Sequence, residues 1–568
     1  MKLSSFKFRI RIVILFIFLV ALVLISRLFF VQVIHRNTYM NKADKQYITP
    51  AGNIFDRGAI FFSKKDNSLV AAATITSGFK LAIIPKNIVE KEATYEKLSP
   101  YLEMDKETFL SKVAKTEDPY EEVALHLNKE QVTEVENLHL SGVSIFKDNW
   151  RSYPGSSLAS HTLGFLAYKD NDKVGQYGLE RFYNGVLSKP KDEAYINFFA
   201  EVFSNISDTL SKTNKGDIIT TIEPLVQDTL ESELSQVLNK WKGDSAGGII
   251  INPQNGEIYA MAGFPDFDLN NFGSVSNVNV YRNPLIEDVF EFGSVIKPLV
   301  MAGAIDAGVV TPQTTYMDNG FVVVDKKTIN NFDKKGRGLV SLQDVLDQSL
   351  NTGMVFTEGK LGHDKFRLYM KSYGLGDKTG IDLPNETSGL IKNLDSPRNI
   401  EYANASFGQG IAITPMEAVR AFSVLANGGK LITPHLVKEI KYDNGLSKKV
   451  EYPIEKEGLL KKETTDTLTQ MLIHVFESYG SGVYKFDHYS VATKTGTAQV
   501  AKEDGKGYYT DRHMHSFFGY FPAYDPKFLV FLFLKNPKGV NYASQTLIPP
   551  FENITKFIFN YYNVPPDR

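Results

Sequence analysis

"AGGIIINPQNGEIYAMAG", residues 246–263, reads as a strand, a tight turn and a second strand. Asn255-Gly256 is a strong hairpin signal, because Asn and Gly tolerate the positive φ that a short turn requires. Toward the N-terminus, "DIITTI" (217–222) is strand-like, and "EPLVQDTLESELSQVLNKW" (223–241) repeats its leucines and valines at helical spacing. Far downstream, "HSFFGYFPA" (515–523) and "FLVFLFLK" (528–535) are strand-like, and "ENITKFIFNYYN" (552–563) suits a closing helix. Strands at both ends of a region with helices between them predict a sheet built from distant pieces of chain, an α/β or α+β layer structure.

At 568 residues the chain is long enough for two or three domains. Hydrophobic content of 43% and charged content of 23% suit a folded body, and a net charge of -2 gives no electrostatic footing for nucleic acid. There is no cysteine, which excludes disulfides, a thiol nucleophile and thiolate metal sites.

The N-terminus carries Lys2, Lys7, Arg9 and Arg11, then an apolar run from Ile12 to Ile34 broken by Ser26 and Arg27. That length suits a span of a hydrocarbon core roughly 30 Å thick. The basic residues before it predict a cytoplasmic tail (1–11) and a retained anchor (12–34), with the rest outside. No small-x-small cleavage site follows, which disfavours a removed signal peptide. Between 35 and 215 strands such as "KLAIIP" (80–85) alternate with helical stretches such as "NIVEKEATYEKLSPYLEM" (87–104), without a catalytic constellation. "SKTNKG" (211–216) is turn-like, so a spacer domain is expected over 35–215 and a catalytic one over 216–568.

In "EFGSVIKPLVMAGAIDAG" (291–308) Ser294 and Lys297 lie three apart at the start of an expected helix, on one face. A serine hydroxyl needs a base to act as nucleophile, and a lysine kept partly neutral by burial or neighbouring cations can serve. The same spacing begins at Ser4, Ser77, Ser144 and Ser188, so alone it decides nothing. "DQSLNTG" (347–353) presents Ser349 and Asn351, a hydroxyl and an amide that project together from a turn. "SVATKTGTAQV" (490–500) reads as a strand carrying Lys494, Thr495, Gly496 and Thr497. Glycine there marks close approach of another backbone, and Lys494 and Thr495 on an exposed side could grip a carboxylate. An edge strand could also pair with an extended peptide. The second Lys-Thr-Gly, in "GLGDKTGIDLP" (374–384), has turn chemistry and is set aside. His513 and His515 are expected as loop or strand-edge residues rather than metal ligands, and no His-Glu-x-x-His or phosphate-binding loop is present.

Ser-x-x-Lys, Ser-x-Asn and Lys-Thr-Gly in this order are the set used by penicillin-binding proteins and serine β-lactamases. With "AGNIFDRGAIF", "GQYGLERFYNGVL", "GIDLPNE" and "SFGQGIAITPMEAVRAF", nearly the whole chain resembles a class B penicillin-binding protein, a monofunctional peptidoglycan D,D-transpeptidase. The resemblance implies a pedestal (dimerisation) domain, then a transpeptidase domain with a five-stranded antiparallel sheet flanked by helices. It implies acylation of Ser294 by a stem peptide, with Lys297 as base and the N–H groups of Ser294 and Thr497 as oxyanion hole. Ser349 and Lys494 would return the proton, Asn351 would orient the peptide, and Lys494, Thr495 and Thr497 would hold the carboxylate around Gly496. No cofactor is implied. β-Lactams would acylate the same serine, and a polytopic membrane glycosyltransferase is the implied partner. A membrane β-lactam sensor or a β-lactam hydrolase would share the site. Two departures stand out. Ala51, where the family has arginine, bears on an ion-pair network in the pedestal. Phe292, where the family has proline, implies a looser path into the active-site helix.

Overall fold

The computed structural model describes residues 18–20, 22–23, 55–169, 172–188, 215–479, 486–502 and 507–568. All but five residues of the expected anchor, and Ala51 with it, lie outside them. Among the described residues no helix is long and apolar enough to cross a membrane. Two compact units are present. The smaller centres on Thr76–Trp150, and the larger comprises Arg57–Ile75, Arg151–Lys189 and Ser204–Arg568.

In the smaller unit the later half of strand Leu69–Ile83 pairs antiparallel with Glu121–Leu127. Helices Lys91–Leu98, Lys106–Val113 and Lys129–Asn137 complete it. Asp105 caps the second helix through Thr108 N, and Asn128 with Gln131 forms a reciprocal cap on the third. The core gathers Leu81, Ile83, Leu98, Phe109, Val123 and Val132.

The larger unit is organised on five strands: β1 (Ser245–Ile251), β2 (Ile258–Phe264), β3 (Ala492–Ala501), β4 (Tyr508–Phe521) and β5 (Phe528–Lys535). Their spatial order is β3-β4-β5-β1-β2, and every neighbouring pair is antiparallel. This is the five-stranded antiparallel sheet that the family resemblance implies, built from distant pieces of chain as the strand pattern predicts. β5 is apolar at every position but its last because both faces are covered. Its even residues Phe528, Val530, Leu532 and Leu534 join one core with α1 (Pro224–Trp241) and α7 (Ala543–Tyr562). Its odd residues Leu529, Phe531 and Phe533 join the other core. That core holds α2 (Lys297–Asp306), α3 (Leu342–Asp347), α4 (Asn351–Leu361), α5 (Pro415–Ala426) and α6 (Lys462–Ser478). Phe422 of α5 stacks on Phe518 of β4 with ring centres 4.1 Å apart.

Three expectations are adjusted. The closing helix begins at Ala543, nine residues before "ENITKFIFNYYN", and runs through Pro549 and Pro550. His513 and His515 lie inside β4, the second strand of the sheet, rather than in a loop, and His515 is fully buried. Burial, with the neighbouring His513 adding to it, lowers the His515 imidazole to about 4. The segment 57–75 belongs to the larger unit because Ile60–Ser63 pairs with strand Gly216–Thr220.

Candidate active site

Ser294 does not lie on α2 itself. It is the second residue of a 3₁₀ turn, Gly293–Ile296, and Lys297 is the first residue of α2. Three residues make one 3₁₀ turn, so the Ser-x-x-Lys spacing still sets the two side chains one above the other. Gly293 has φ +64°, and its N–H donates to Gly408 O at 3.2 Å. On the other side a Cβ at Gly496 would run into Phe292 O and Ser516 Oγ. Glycine in Lys-Thr-Gly is thus what lets the Ser294 turn lie against β3, as the close-approach reading of the sequence required. Ser516 Oγ donates to Phe292 O at 2.7 Å and ties the turn to β4. Phe292 itself is buried, edge-on to Phe531 at 5.0 Å, with φ -88°. Packing supplies the restraint that a proline ring would give, so the turn is not loose there.

Ser349 sits in the short connection between α3 and α4 at φ +54°, a left-handed conformation that costs a non-glycine residue about 1–2 kcal/mol. Its carbonyl accepts from Lys297 Nζ at 2.6 Å and its hydroxyl lies 3.2 Å from the same amine. Asn351 Oδ1 is the third acceptor, at 2.9 Å. The amine's hydrogen bonds therefore all go to Ser349 and Asn351, and Ser294 Oγ is not among their acceptors.

β3 is one edge strand of the sheet, and among the described strands it pairs with β4 alone. Lys494 is fully buried, not on an exposed side as the sequence suggested; the sheet edge is roofed by α6 and the Ser294 turn. Its Nζ lies 3.2 Å from Thr495 O. Thr495 N donates to Tyr479 Oη at 3.1 Å, and the two hydroxyls are 3.2 Å apart. Thr495 N thus points away from β4, and the two-residue period turns Thr497 N the same way, along the free edge. Thr497 Oγ1 accepts from Ala543 N at 3.1 Å, the first N–H of α7, which leaves its own proton available for a further acceptor.

Burial, and secondarily the charge on Lys494, push the Lys297 amine well below the ordinary lysine range. Burial also brings Lys494 down to about 7, with the carboxylate of Asp347 opposing the shift. Asp347 lies two residues before Ser349 and bonds Gln343 Nε2 at 2.8 Å and His474 Nδ1 at 2.9 Å. Two amines whose charged form burial disfavours, Lys494 at about 7 and Lys297 lowered as well, stand beside hydroxyls and an amide and can take part in proton transfer. Tyr479, Asp347, Ser516 and Gly408 were not singled out from the sequence. Asp347, Ser516 and Gly408 lay inside quoted stretches and Tyr479 outside them, but none has a spacing signal of its own. The second Lys-Thr-Gly is a turn, where Glu386 accepts from Thr379 N at 2.7 Å and Gly380 N at 3.1 Å.

Residues 246–556 match the penicillin binding protein transpeptidase domain, and residues 52–216 the penicillin-binding protein dimerisation domain. Stage V sporulation protein D of Bacillus subtilis (strain 168) is 31% identical over 97% of this chain and 85% of its own length. Peptidoglycan D,D-transpeptidase MrdA of Acinetobacter baumannii is 26% identical over 94% of this chain and 85% of its own. The crystal structure of penicillin binding protein 2X from Streptococcus thermophilus shares the fold with a TM-score of 0.71, at 21% identity over 90% of this chain and 81% of that one. With the catalytic unit matched over most of its length and a relative above 30% identity along nearly the whole chain, this protein belongs to the class B penicillin-binding proteins.

Proposed function

We propose that the chain is a peptidoglycan D,D-transpeptidase that cross-links stem peptides through an acyl-enzyme on Ser294. The observation that carries this reading is the buried Lys297 amine hydrogen-bonded to Ser349 and Asn351, with the buried Lys494 amine beside it, both pushed below the ordinary lysine range by burial. Relatives named peptidoglycan D,D-transpeptidase support the activity.

Ser294 Oγ attacks the carbonyl of the penultimate D-alanine, and its proton passes to Lys297. A carbon–oxygen bond forms as the amide carbon–nitrogen bond breaks. The proton reaches the leaving D-alanine through Ser349, assisted by Lys494. The N–H groups of Ser294 and Thr497 hold the oxyanion, an interaction worth roughly 10²–10³ in rate per donor. Thr495 and Thr497 hydroxyls with Lys494 hold the terminal carboxylate, Gly496 lets the Ser294 turn sit against their strand, and Asn351 orients the peptide amide. An amine of a second stem peptide then resolves the ester. β-Lactams acylate Ser294 by the same route.

The same reading assigns 1–11 to a cytoplasmic tail, 12–34 to a membrane anchor, 35–215 to the pedestal and 216–568 to the transpeptidase domain. It places the catalytic unit outside the bacterial cytoplasmic membrane beside a polytopic glycosyltransferase. Its support is the apolar run with preceding basic residues and the two family matches, 52–216 and 246–556. The test is labelling with a fluorescent penicillin. Wild type is expected to be labelled covalently and Ser294→Ala not at all; equal labelling of both rejects the assignment.

A further inference from the structure

The Asn351 amide has one end facing Lys297 and the other facing a backbone carbonyl. Its Nδ2 donates to Asn330 O at 3.0 Å, which turns Oδ1 to the Lys297 amine at 2.9 Å. A carbonyl cannot donate, so Asn330 fixes which end the lysine meets. The next residue, Asn331, is buried, and its Oδ1 accepts the N–H of Asn351 at 3.0 Å and of Thr352 at 3.2 Å. These are the first two residues of α4, and Leu350, in the capping position, has no side-chain acceptor to offer. The helix that carries Asn351 is therefore capped from another element.

Asn331 is itself oriented. Its Nδ2 donates to both oxygens of the buried Asp318, at 3.0 and 3.1 Å. Asp318 also accepts from Gly320 N at 3.0 Å, Arg337 N at 3.1 Å and Thr352 Oγ1 at 2.8 Å. A carboxylate accepts only, so the Asn331 amide must point its nitrogen there and its oxygen at α4.

We propose that Asn331, oriented by Asp318, is a positioning residue for acylation: it seats Asn351, and through Asn351 it holds the Lys297 amine in place. This rests on the reading of Lys297 as the base for Ser294. The charged groups around Lys297 are Lys494 on β3 and, acting on Lys494, Asp347 at the end of α3. Those around Asp318 are Arg337 and, as a titratable neighbour, Tyr316.

The test compares acylation by a fluorescent penicillin from pH 5 to 9, with melting curves, in the detergent-solubilised full chain. Asn331→Ala should fall about 10–10²-fold in rate, the scale of losing a supporting contact to a reacting group. The exchanged pair Asp318→Asn/Asn331→Asp keeps one carboxylate facing one amide and keeps an acceptor on α4. It should recover most of the rate. It also brings the negative charge nearer to Lys297, which favours the protonated amine. Half-maximal acylation should then move to higher pH by about half a unit to one unit. A shift of that sign separates positioning from a helix cap that merely stabilises. Asn331→Ser, which keeps a hydroxyl for the helix end but not the amide for Asp318, should fold and be slow. Any of these variants with wild-type rate and pH profile overturns the proposal. Labelling of wild type that survives Ser294→Ala instead overturns the reading of the site, whatever the Asn331 series does.

Discussion

The larger unit buries charge in two places and treats it in opposite ways. Around Glu180, Arg57 Nε lies 2.6 Å from one carboxylate oxygen and Arg151 Nε 2.6 Å from the other, all three side chains almost without exposure. Arg57 also donates to Asn184 Oδ1 at 3.0 Å, so this network stands around Arg57 as the chain has it. Around Lys297 the acceptors are a carbonyl, a hydroxyl and an amide oxygen, none of them charged. Among the described residues no carboxylate forms an ion pair with Lys297 or Lys494. Paired guanidinium groups stay charged and fix the chain; an amine denied a countercharge becomes a base.

Lys297→Met breaks the second arrangement where it matters most. The rate of penicillin acylation should fall about 10²–10⁴-fold, the usual worth of a positioned base, while the protein still unfolds cooperatively. Glu180→Gln breaks the first. It removes the carboxylate charge that Arg57 and Arg151 share, and should cost about 3–5 kcal/mol, read as a lower urea midpoint. The folded fraction should label at the wild-type rate, because nothing at Ser294 has changed.

Lys494→Met sharpens the contrast through pH. Lys494 binds its proton less tightly in the folded chain, at about 7, than in the unfolded chain. Between about pH 7 and the ordinary lysine value near 10.4, the unfolded chain holds more protons, so wild-type stability rises with pH. Below pH 7 the folded protein carries the full cost of a buried cation. The methionine variant should therefore be more stable than wild type by about 1–2 kcal/mol at pH 6, an advantage that is lost by about pH 9. Its sign is opposite to that of Glu180→Gln. A Lys494→Met protein less stable than wild type at pH 6 would show that the amine is paired after all.

Local chemistry made part of this legible in advance. Glu223 and Pro224 mark the start of α1 within a residue, because a capping carboxylate and a proline in the first turn leave little freedom. The three motifs mark their own positions, since each needs specific groups at fixed spacing. Depth was not legible: a period of two says which side Lys494 takes, and the roof over that side comes from α6 and a turn some 200 residues earlier in the chain. Asp318, Asn331 and Tyr479 were invisible for the same reason, since their partners are set by tertiary contact. The closing helix is longer than the apolar pattern of "ENITKFIFNYYN" shows, since it starts at Ala543 and runs through Pro549 and Pro550, where local propensity disfavours helix. Residues 57–75 and 151–189 could not be assigned to the larger unit from order along the chain alone.

Strand β5 carries one more consequence. It lies between β4 and β1, and Val530 pairs with Ile250, 280 positions earlier. During synthesis the first hairpin must wait, with one apolar edge unpaired, until nearly the whole polypeptide has been made. Such non-local closure is slow and invites association between nascent chains. A stop codon shortly before Phe528 would therefore remove more than a tail: it would leave two half-sheets with nothing to join them, and a product fated for proteolysis rather than for a weakened enzyme.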